Sequence, residues 1–425
     1  MQTYKQLLPA LFLLCFSLLP VAGQNHTQSP YSRFGIGELV PESYGMQLGM
    51  GNLGIGFRQN NVPSLMNPAS YTEQDSVSFI LHFGGSSRYS RFASPSSTEK
   101  DWTVNLNHIL FSYPIISKRW YSVMGLLPYT SVGYNLIRYG QPDPELGTTV
   151  DYLNQGDGGL NRLLWGHGVS IGNLSIGANL SWLFGTTSYK NTTMFPFDAN
   201  ALTIISTREL QTKGFHLQTG AQYTHSWGEK NRLTAGLTFE PANKLSMRET
   251  TLNRFTSYEG YHDTISYVKG KKHSIRLPQT LGFGLFYNYQ DQWLVGVDYS
   301  YRKWSGADFF FSNDTLSNAG KISFGAQFVP VGQRGVRSRY YQRIAYRLGA
   351  YLSDSYFTVQ GEKPKNLGIT AGVGLPFRQD RSMCNISYSF ETKGTQSKNL
   401  IRENLHIVSI SVSLFDFWFL QRKWD

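Results

Sequence analysis

Strict alternation over runs longer than ten residues is the first constraint on this chain. In residues 174–185 (LSIGANLSWLFG), Leu174, Ile176, Ala178, Leu180, Trp182 and Phe184 share one face, and Ser175, Gly177, Asn179 and Ser181 share the other. Residues 280–289 (TLGFGLFYNY) put Leu281, Phe283, Leu285, Tyr287 and Tyr289 opposite Thr280, Gly282, Gly284, Phe286 and Asn288. Trp293, Val295, Val297, Tyr299 and Tyr301 alternate with Gly296, Asp298, Ser300 and Arg302, and Val408, Ile410, Val412 and Leu414 with Ser409, Ser411 and Ser413. A period of two means β-strands with unlike faces. A soluble sandwich also alternates, but with shorter strands and turns about every 8–12 residues. Strands of about 9–11 tilted residues are the length that crosses a bilayer.

The start of the chain indicates export. Lys5 precedes an apolar stretch ending at Pro20, followed by Val21, Ala22 and Gly23. This is the pattern of a secretory signal peptide, with cleavage expected after Gly23. Its apolar core is shorter than the ~20 residues of a membrane-spanning helix. Removing residues 1–23 leaves Cys384 as the single cysteine, so no internal disulfide is expected. The formal charge is +11, but the basic residues are scattered and export argues against nucleic acid as a partner. They read as solvated turns and contacts to lipid headgroups. Aromatics make 15% of the chain, while charged residues make 16% and no later apolar run could form a spanning helix. Lipid-facing apolar and lumen-facing polar residues cancel in such averages when a barrel spans the outer membrane.

Short connections near 116–119, 172–173, 227–231, 290–292 and 378–381 alternate with longer polar ones near 93–100, 139–159, 188–199, 251–264, 306–317, 354–365 and 394–401. In bacterial barrels the short turns face the periplasm and the long loops face outside. The connection at 331–341 is long on the short side. About fourteen antiparallel strands follow, occupying residues 76–415, with 416–425 as a periplasmic tail. Near 200–225 and 265–290, two short strands are an alternative to one long one. Trp120, Trp227, Trp293, Trp304 and Trp418 lie near strand ends, where an interfacial aromatic girdle would place them. Ordinary packing is the equal alternative for each.

Residues 24–75 carry no alternating run. They hold seven glycines between Gly35 and Gly56, four prolines, and apolar residues such as Leu48, Met50, Leu53 and Phe57. A long segment without strands is usually functional or disordered, and this apolar content argues against disorder. A compact plug inside the barrel is the expectation. Its small-residue run ends in SLMNPAS, with Asn67, Pro68 and Ala69. That run resembles the N-terminal hatch of the FadL/TodX family of outer-membrane transporters for long-chain fatty acids and hydrocarbons. Residues 276–305 (RLPQTLGFGLFYNYQDQWLVGVDYSYRKWS) and 346–353 (YRLGAYLS) resemble strands of the same family. The resemblance implies a fourteen-stranded all-β transmembrane barrel closed by a hatch, with Gly35, Gly37, Gly49, Gly51, Gly54, Asn67, Pro68 and Ala69 as its hatch and gate residues. A related subfamily serves as an accessory in type IX protein secretion. The start of the hatch is longer here than the family pattern, so ligand-contacting residues are not carried over.

The stretch GMGNLG, residues 49–54, has the spacing of a dinucleotide fingerprint. No apolar strand precedes it and Pro63 and Pro68 follow, so the strand and helix that such a site requires are missing. Catalysis has as little support. His82, His108, His167 and His216 sit in predicted strands, with His82 and His216 facing the lumen, but no G-x-S-x-G accompanies them. The nine histidines show no i,i+4 pair or cysteine cluster for a metal. No catalytic residue, cofactor or metal is expected; an outer-membrane lipid hydrolase or acyltransferase is the weakest reading.

Arg302 and Arg347 point inward by alternation and suit a ligand carboxylate, with Asp298 and Glu391 as their competing acid partners. Phe309, Phe310 and Phe311 form an apolar loop tip that could catch a hydrophobic tail. The expected function is passive uptake of a fatty-acid-like or hydrocarbon molecule through the outer membrane of a Gram-negative bacterium, by a monomer in contact with outer-membrane lipid. The alternative is a non-transporting scaffold with barrel-assembly or secretion partners.

Overall fold

The computed structural model describes residues 27–76, 78–95, 97–143, 148–196, 198, 201–257, 260–307, 315–331, 338–377 and 382–417. The proposed signal peptide, Phe309 to Phe311 and Trp418 lie outside the described residues. A short strand, β1 (Glu38–Leu39), precedes β2 (Ser78–Ala93), β3 (Thr98–Ile116), β4 (Trp120–Asp143), β5 (Thr148–Ile171), β6 (Leu174–Met194) and β7 (Thr203–Trp227). Then come β8 (Asn231–Glu240), β9 (Lys244–Thr256), β10 (His262–Arg276), β11 (Gln279–Tyr289), β12 (Trp293–Lys303), β13 (Thr315–Leu316) and β14 (Ala319–Phe328). The chain ends with α1 (Tyr340–Arg343), β15 (Ala345–Asp354), β16 (Phe357–Thr358), β17 (Lys365–Phe377), β18 (Ser382–Lys393) and β19 (Arg402–Phe417).

Fourteen of these strands close into one antiparallel barrel, in the order β2 to β8, β11, β12, β14, β15, β17, β18, β19. Closure is by β19 on β2, in register from Phe417↔Ser78 to Arg402↔Ala93. Such closure removes every sheet edge from the hydrocarbon, where an unpaired N–H or C=O has no water to bond. The alternation reads as expected. Val408 and Ile410 are 43% and 51% exposed on the outside, while Ser409 and Ser411 are buried inside. Trp227 and Trp293 stay exposed at the short-turn ends and pack on Tyr287 and Phe328.

Several stretches expected as loops are strands. The paired strands β4, β5, β6 and β7 have 24, 24, 21 and 25 residues, whereas β12, β14 and β15 have 11, 10 and 10. A crossing needs only about 9–11 residues, so one side of the barrel continues as a β-wall well beyond the bilayer. Outside the bilayer the outer face meets water instead of lipid and can be polar, so the apolar alternation weakens although backbone pairing continues. That is why 139–159, 188–199 and 251–264 resembled loops. The strand breaks are also shifted. β7 is continuous, while β8 and β9 are separated at Pro241 to Asn243, and β10 and β11 at Leu277 and Pro278. Proline cannot donate to a ladder. The break is stitched by Leu277 N–H to the Asn243 carbonyl (2.8 Å) and by Asn243 Nδ2 to the Phe215 carbonyl (2.6 Å).

Residues 27–75 run inside the barrel. A 3-10 turn (Gly45–Met50) packs on β14, β15, β17, β18 and β19, and another (Pro68–Glu73) packs on β4 to β7, across the lumen. Met50, Leu53, Leu65, Ala69 and Tyr71 are almost fully buried. The close fit depends on glycines of the wall as much as on those of the segment. A Cβ on Gly284 would lie 2.4 Å from Gly56 N, and one on Gly349 2.1 Å from Gly51 N. Gly51 itself has φ 66°, ending the first turn in the left-handed region that glycine adopts without penalty. We expect Gly284→Val or Gly349→Val to leave a folded, heat-modifiable barrel in which the segment before residue 76 becomes protease-sensitive. Unchanged protection would show that the wall does not require these glycines.

Candidate functional site

The site is the interface between the inner segment and the lumenal wall. Asn67-Pro68-Ala69 has a local explanation. Asn67 caps the second turn through Oδ1, accepting from Ala69 N–H (3.1 Å), and Pro68 takes the first helical position, where no N–H is needed. Asn67 Nδ2 then donates to the carbonyls of Ile55 (2.8 Å) and Ala221 (3.2 Å), tying the turn to the segment and to β7. Gly35 and Gly37 lie against Tyr356 and Ser131, and Gly49 against Gly372 and Arg347, so each expected segment glycine sits at a contact.

Asp298 on β12 is the central polar group. Its carboxylate accepts from the N–H groups of Gly54 (2.6 Å), Ile55 (2.8 Å) and Gly56 (3.2 Å). The sequence suggested Asp298 as an arginine partner; it holds backbone instead. The GMGNLG run thus supplies part of an anion nest, and the anion is a side chain of the barrel rather than a nucleotide. Three ion-pair groups complete the attachment. Arg58 and Arg232 both bind Glu73, at 2.8 and 2.6 Å. Glu38 receives Arg88 at 3.0 Å and Lys393 at 3.4 Å, and Glu42 receives Arg162 at 3.2 Å. Arg58 also donates to Thr72, Ser175 and Gln222. None of these pairs shows in the sequence, because partners such as Glu38 and Lys393 are more than three hundred positions apart.

Burial alone would raise the carboxyls of Glu38 and Glu73. The neighbouring Arg88 and Lys393 overcome it at Glu38, and Arg58 and Arg232 at Glu73, so both are held below the usual carboxylate range.

Between the inner segment and the wall a chamber of about 300 Å³ remains. Glu38, Arg88, Arg302, Lys321, Glu391 and Lys393 line it beside Leu48, Tyr351 and Phe357. Arg302 therefore faces the lumen as expected. Arg347 also points inward, but its guanidinium is held by Gln327 Oε1 and Asn385 Oδ1, both at 2.7 Å, outside that chamber. Trp304 departs from its expected place at the interface. It is 1% exposed and stacks on Tyr356 at 4.2 Å. β12 ends at Lys303 and the chain turns inward as a 3-10 turn, so alternation no longer sets its direction. Trp120 is half-buried and donates to His167 Nδ1. His82 and His216 do face inward; His82 meets Ser413 Oγ at 2.8 Å and His216 meets Asn243 Oδ1 at 3.2 Å.

A closed fourteen-strand barrel with an aromatic, apolar outer band and a polar lumen is of the outer-membrane type. The chain belongs to the BamG family, whose model matches residues 4–425. No curated protein matches. Among solved structures, it is similar to the toluene transporter TodX of Pseudomonas putida, at 15% identity, covering 92% of this chain and 100% of that one, TM-score 0.58. The toluene transporter TbuX of Ralstonia pickettii gives 11%, 88%, 98% and 0.55. A FadL homologue of Pseudomonas aeruginosa gives 11%, 89%, 99% and 0.54. The FadL/TodX resemblance thus holds for the fold, while the matching family is BamG.

Two outcomes follow. Asp298→Ala leaves three buried N–H groups without an acceptor, at about 1–3 kcal/mol each. Amide exchange at Gly54, Ile55 and Gly56 should accelerate at least a hundredfold; an unchanged rate would remove Asp298 from the attachment. Because the Glu38 and Glu73 carboxyls are depressed in the fold, their stabilisation is complete above the ordinary glutamate range and declines as pH falls through their folded values. Protease protection of residues 27–75 should therefore be constant near neutrality and weaken only in acid, with Glu73→Gln removing part of that dependence.

Proposed function

We propose that this chain is a plugged outer-membrane barrel acting as a non-transporting accessory in protein secretion or barrel assembly. The observation that carries the reading is the multiple attachment of residues 27–75 to the wall, through Asp298 and through the pairs of Glu73 with Arg232, Glu38 with Arg88 and Glu42 with Arg162. A shift that separates these pairs costs up to about 3–5 kcal/mol for the buried Arg162–Glu42 pair and less for the partly exposed ones. A ligand of micromolar affinity supplies about 8 kcal/mol in all, and an apolar one brings no water to solvate the freed charges. Opening by a hydrocarbon is disfavoured on that arithmetic. The one-sided wall of β4 to β7, extended by β9 and β10, supports a protein-facing role, since it presents a broad surface above the bilayer that no crossing requires.

The second reading is passive uptake of a hydrophobic small molecule, fatty-acid-like or hydrocarbon, with residues 24–75 as a moving hatch. The fold shared with the toluene transporters supports it, as does the chamber, where Arg302 and Lys321 could hold a carboxylate beside Leu48 and Phe357. Isolation of the tagged barrel from native outer membrane in mild detergent separates the two. A stoichiometric protein partner without retained fatty acid supports the accessory role. A barrel that comes alone, carrying a bound fatty acid or hydrocarbon by mass spectrometry, overturns it. On either reading, deleting residues 24–75 should make the barrel leaky to small solutes in liposome swelling; unchanged leakage would remove the plug.

A further inference from the structure

The outer wall above the lipid-facing band carries an arrangement that the plugged lumen does not explain. On β9 and β10, Lys244 lies directly opposite Arg276, and Arg248 directly opposite Lys272. Lys213 on β7 lies opposite Ser246, between Lys244 and Arg248 on the same face. All five cations are exposed. The other face of these strands is the buried one, with Leu210, Leu245, Met247 and Ile275 in the core, so the cations point outward. Side chains directly opposite in an antiparallel pair are about 5 Å apart, and like charges there repel. Two such pairs stand side by side. Among the described residues none of the five has an ion-pair partner. Glu249, between them in sequence, faces inward and is taken by Arg208 and His273. Glu209, the acid nearest on the outer face, lies opposite Thr250.

Depth is set by the neighbours. Two residues along β7 from Lys213 is Phe215, 66% exposed, and the outward row of Phe239, Leu281 and Tyr301, at 38, 48 and 37%, starts opposite Thr219, four residues further along β7. Lys303 follows Tyr301 by two positions on the same outward face of β12. Below the cations the outward face is thus aromatic and aliphatic, which sets the cations at the headgroup level of the outer leaflet, and exposed Tyr267, opposite Leu252, lies beyond them. Repulsion within the cluster is relieved by a multiply charged anion held at that depth, and guanidinium groups pair with phosphate oxygens in bidentate fashion.

We propose that the outward face of β7, β9 and β10 is a binding site for a phosphorylated glycolipid headgroup of the outer leaflet. Its acyl chains lie along Phe215, Phe239 and Leu281, and its phosphates lie between the Lys244–Arg276 and Lys272–Arg248 pairs. The inference rests on the outer-membrane placement but on neither use of the lumen.

The test reconstitutes the mature barrel in phosphatidylcholine nanodiscs containing diphosphorylated lipid A, with lipid retained per barrel counted by native mass spectrometry. The wild type should retain lipid A over phosphatidylcholine, and over phosphatidylglycerol used in its place. Retention should fall about fivefold for each cation removed, so by roughly several hundredfold for the combined K244Q/R248Q/K272Q/R276Q chain. Lys365→Gln on the far wall should change nothing. Heat-modifiable mobility checks folding and insertion separately, and the paired K244Q/R276Q chain replaces the combined one if the latter fails to fold. Equal retention by wild type and variant overturns the site. Equal retention of phosphatidylglycerol and lipid A by the wild type also overturns it, since diffuse attraction would then suffice. Failure to insert at all would count against the membrane placement instead.

Discussion

The need to pair every backbone polar group away from water governs the whole molecule. A strand that meets lipid on one face and its own lumen on the other has no third element to cover its edge, so the sheet must return on itself. The full-length pairing of β19 with β2 is that return. Once the sheet is closed at fourteen strands, its interior is too wide for wall side chains alone to fill, and the chain must leave it wet or fill it with something else. Residues 27–75 fill it.

An irregular segment inside a barrel faces the same accounting, because its own N–H and C=O groups also lie away from bulk water. Side chains of the wall answer it. Asp298 takes three successive N–H groups, Gln222 donates to the carbonyls of Ile55 and Phe57, and Asn67 bonds both the segment and β7. Glycines on the wall allow the approach, and ion pairs from Glu38, Glu42 and Glu73 to Arg88, Arg162 and Arg232 fix the position. The result is a lumen whose contents are bonded to it at several levels, with a charged chamber left between them and the wall. The arrangement departs from an open conduit although the fold is shared with hydrocarbon channels.

Much of this was legible in the residues. Alternation in 174–185, 280–289 and 293–303 gave the strands and their faces, the rhythm of the connections gave the strand number, and the glycine-rich run ending at Asn67 to Ala69 marked a segment apart from the barrel. The failures have physical causes. Trp304 lies at a strand end, where the sequence suggests an interfacial girdle, but the chain turns inward there and buries it. The wall beyond the bilayer is hidden because an outer face turned to water instead of lipid no longer has to be apolar, and the pattern weakens. Asp298 reads as one of two acids open to an arginine, since a sequence shows charges but not the backbone N–H groups that compete for them. Arg347 was read correctly as inward, yet its neighbours Gln327 and Asn385, which occupy it, come from adjacent strands and could be found only with the register in hand.

The sequence by itself determined that the chain is a closed β-barrel of the outer-membrane type with a non-strand segment before it, because side-chain period and strand length are local properties set by a bilayer's thickness and polarity. The tertiary structure decided what lies in the lumen and what holds it there. It also decided which outward cations stand opposite one another. Those contacts join residues hundreds of positions apart, and they depend on strand register, where a shift of one residue moves every side chain to the other face.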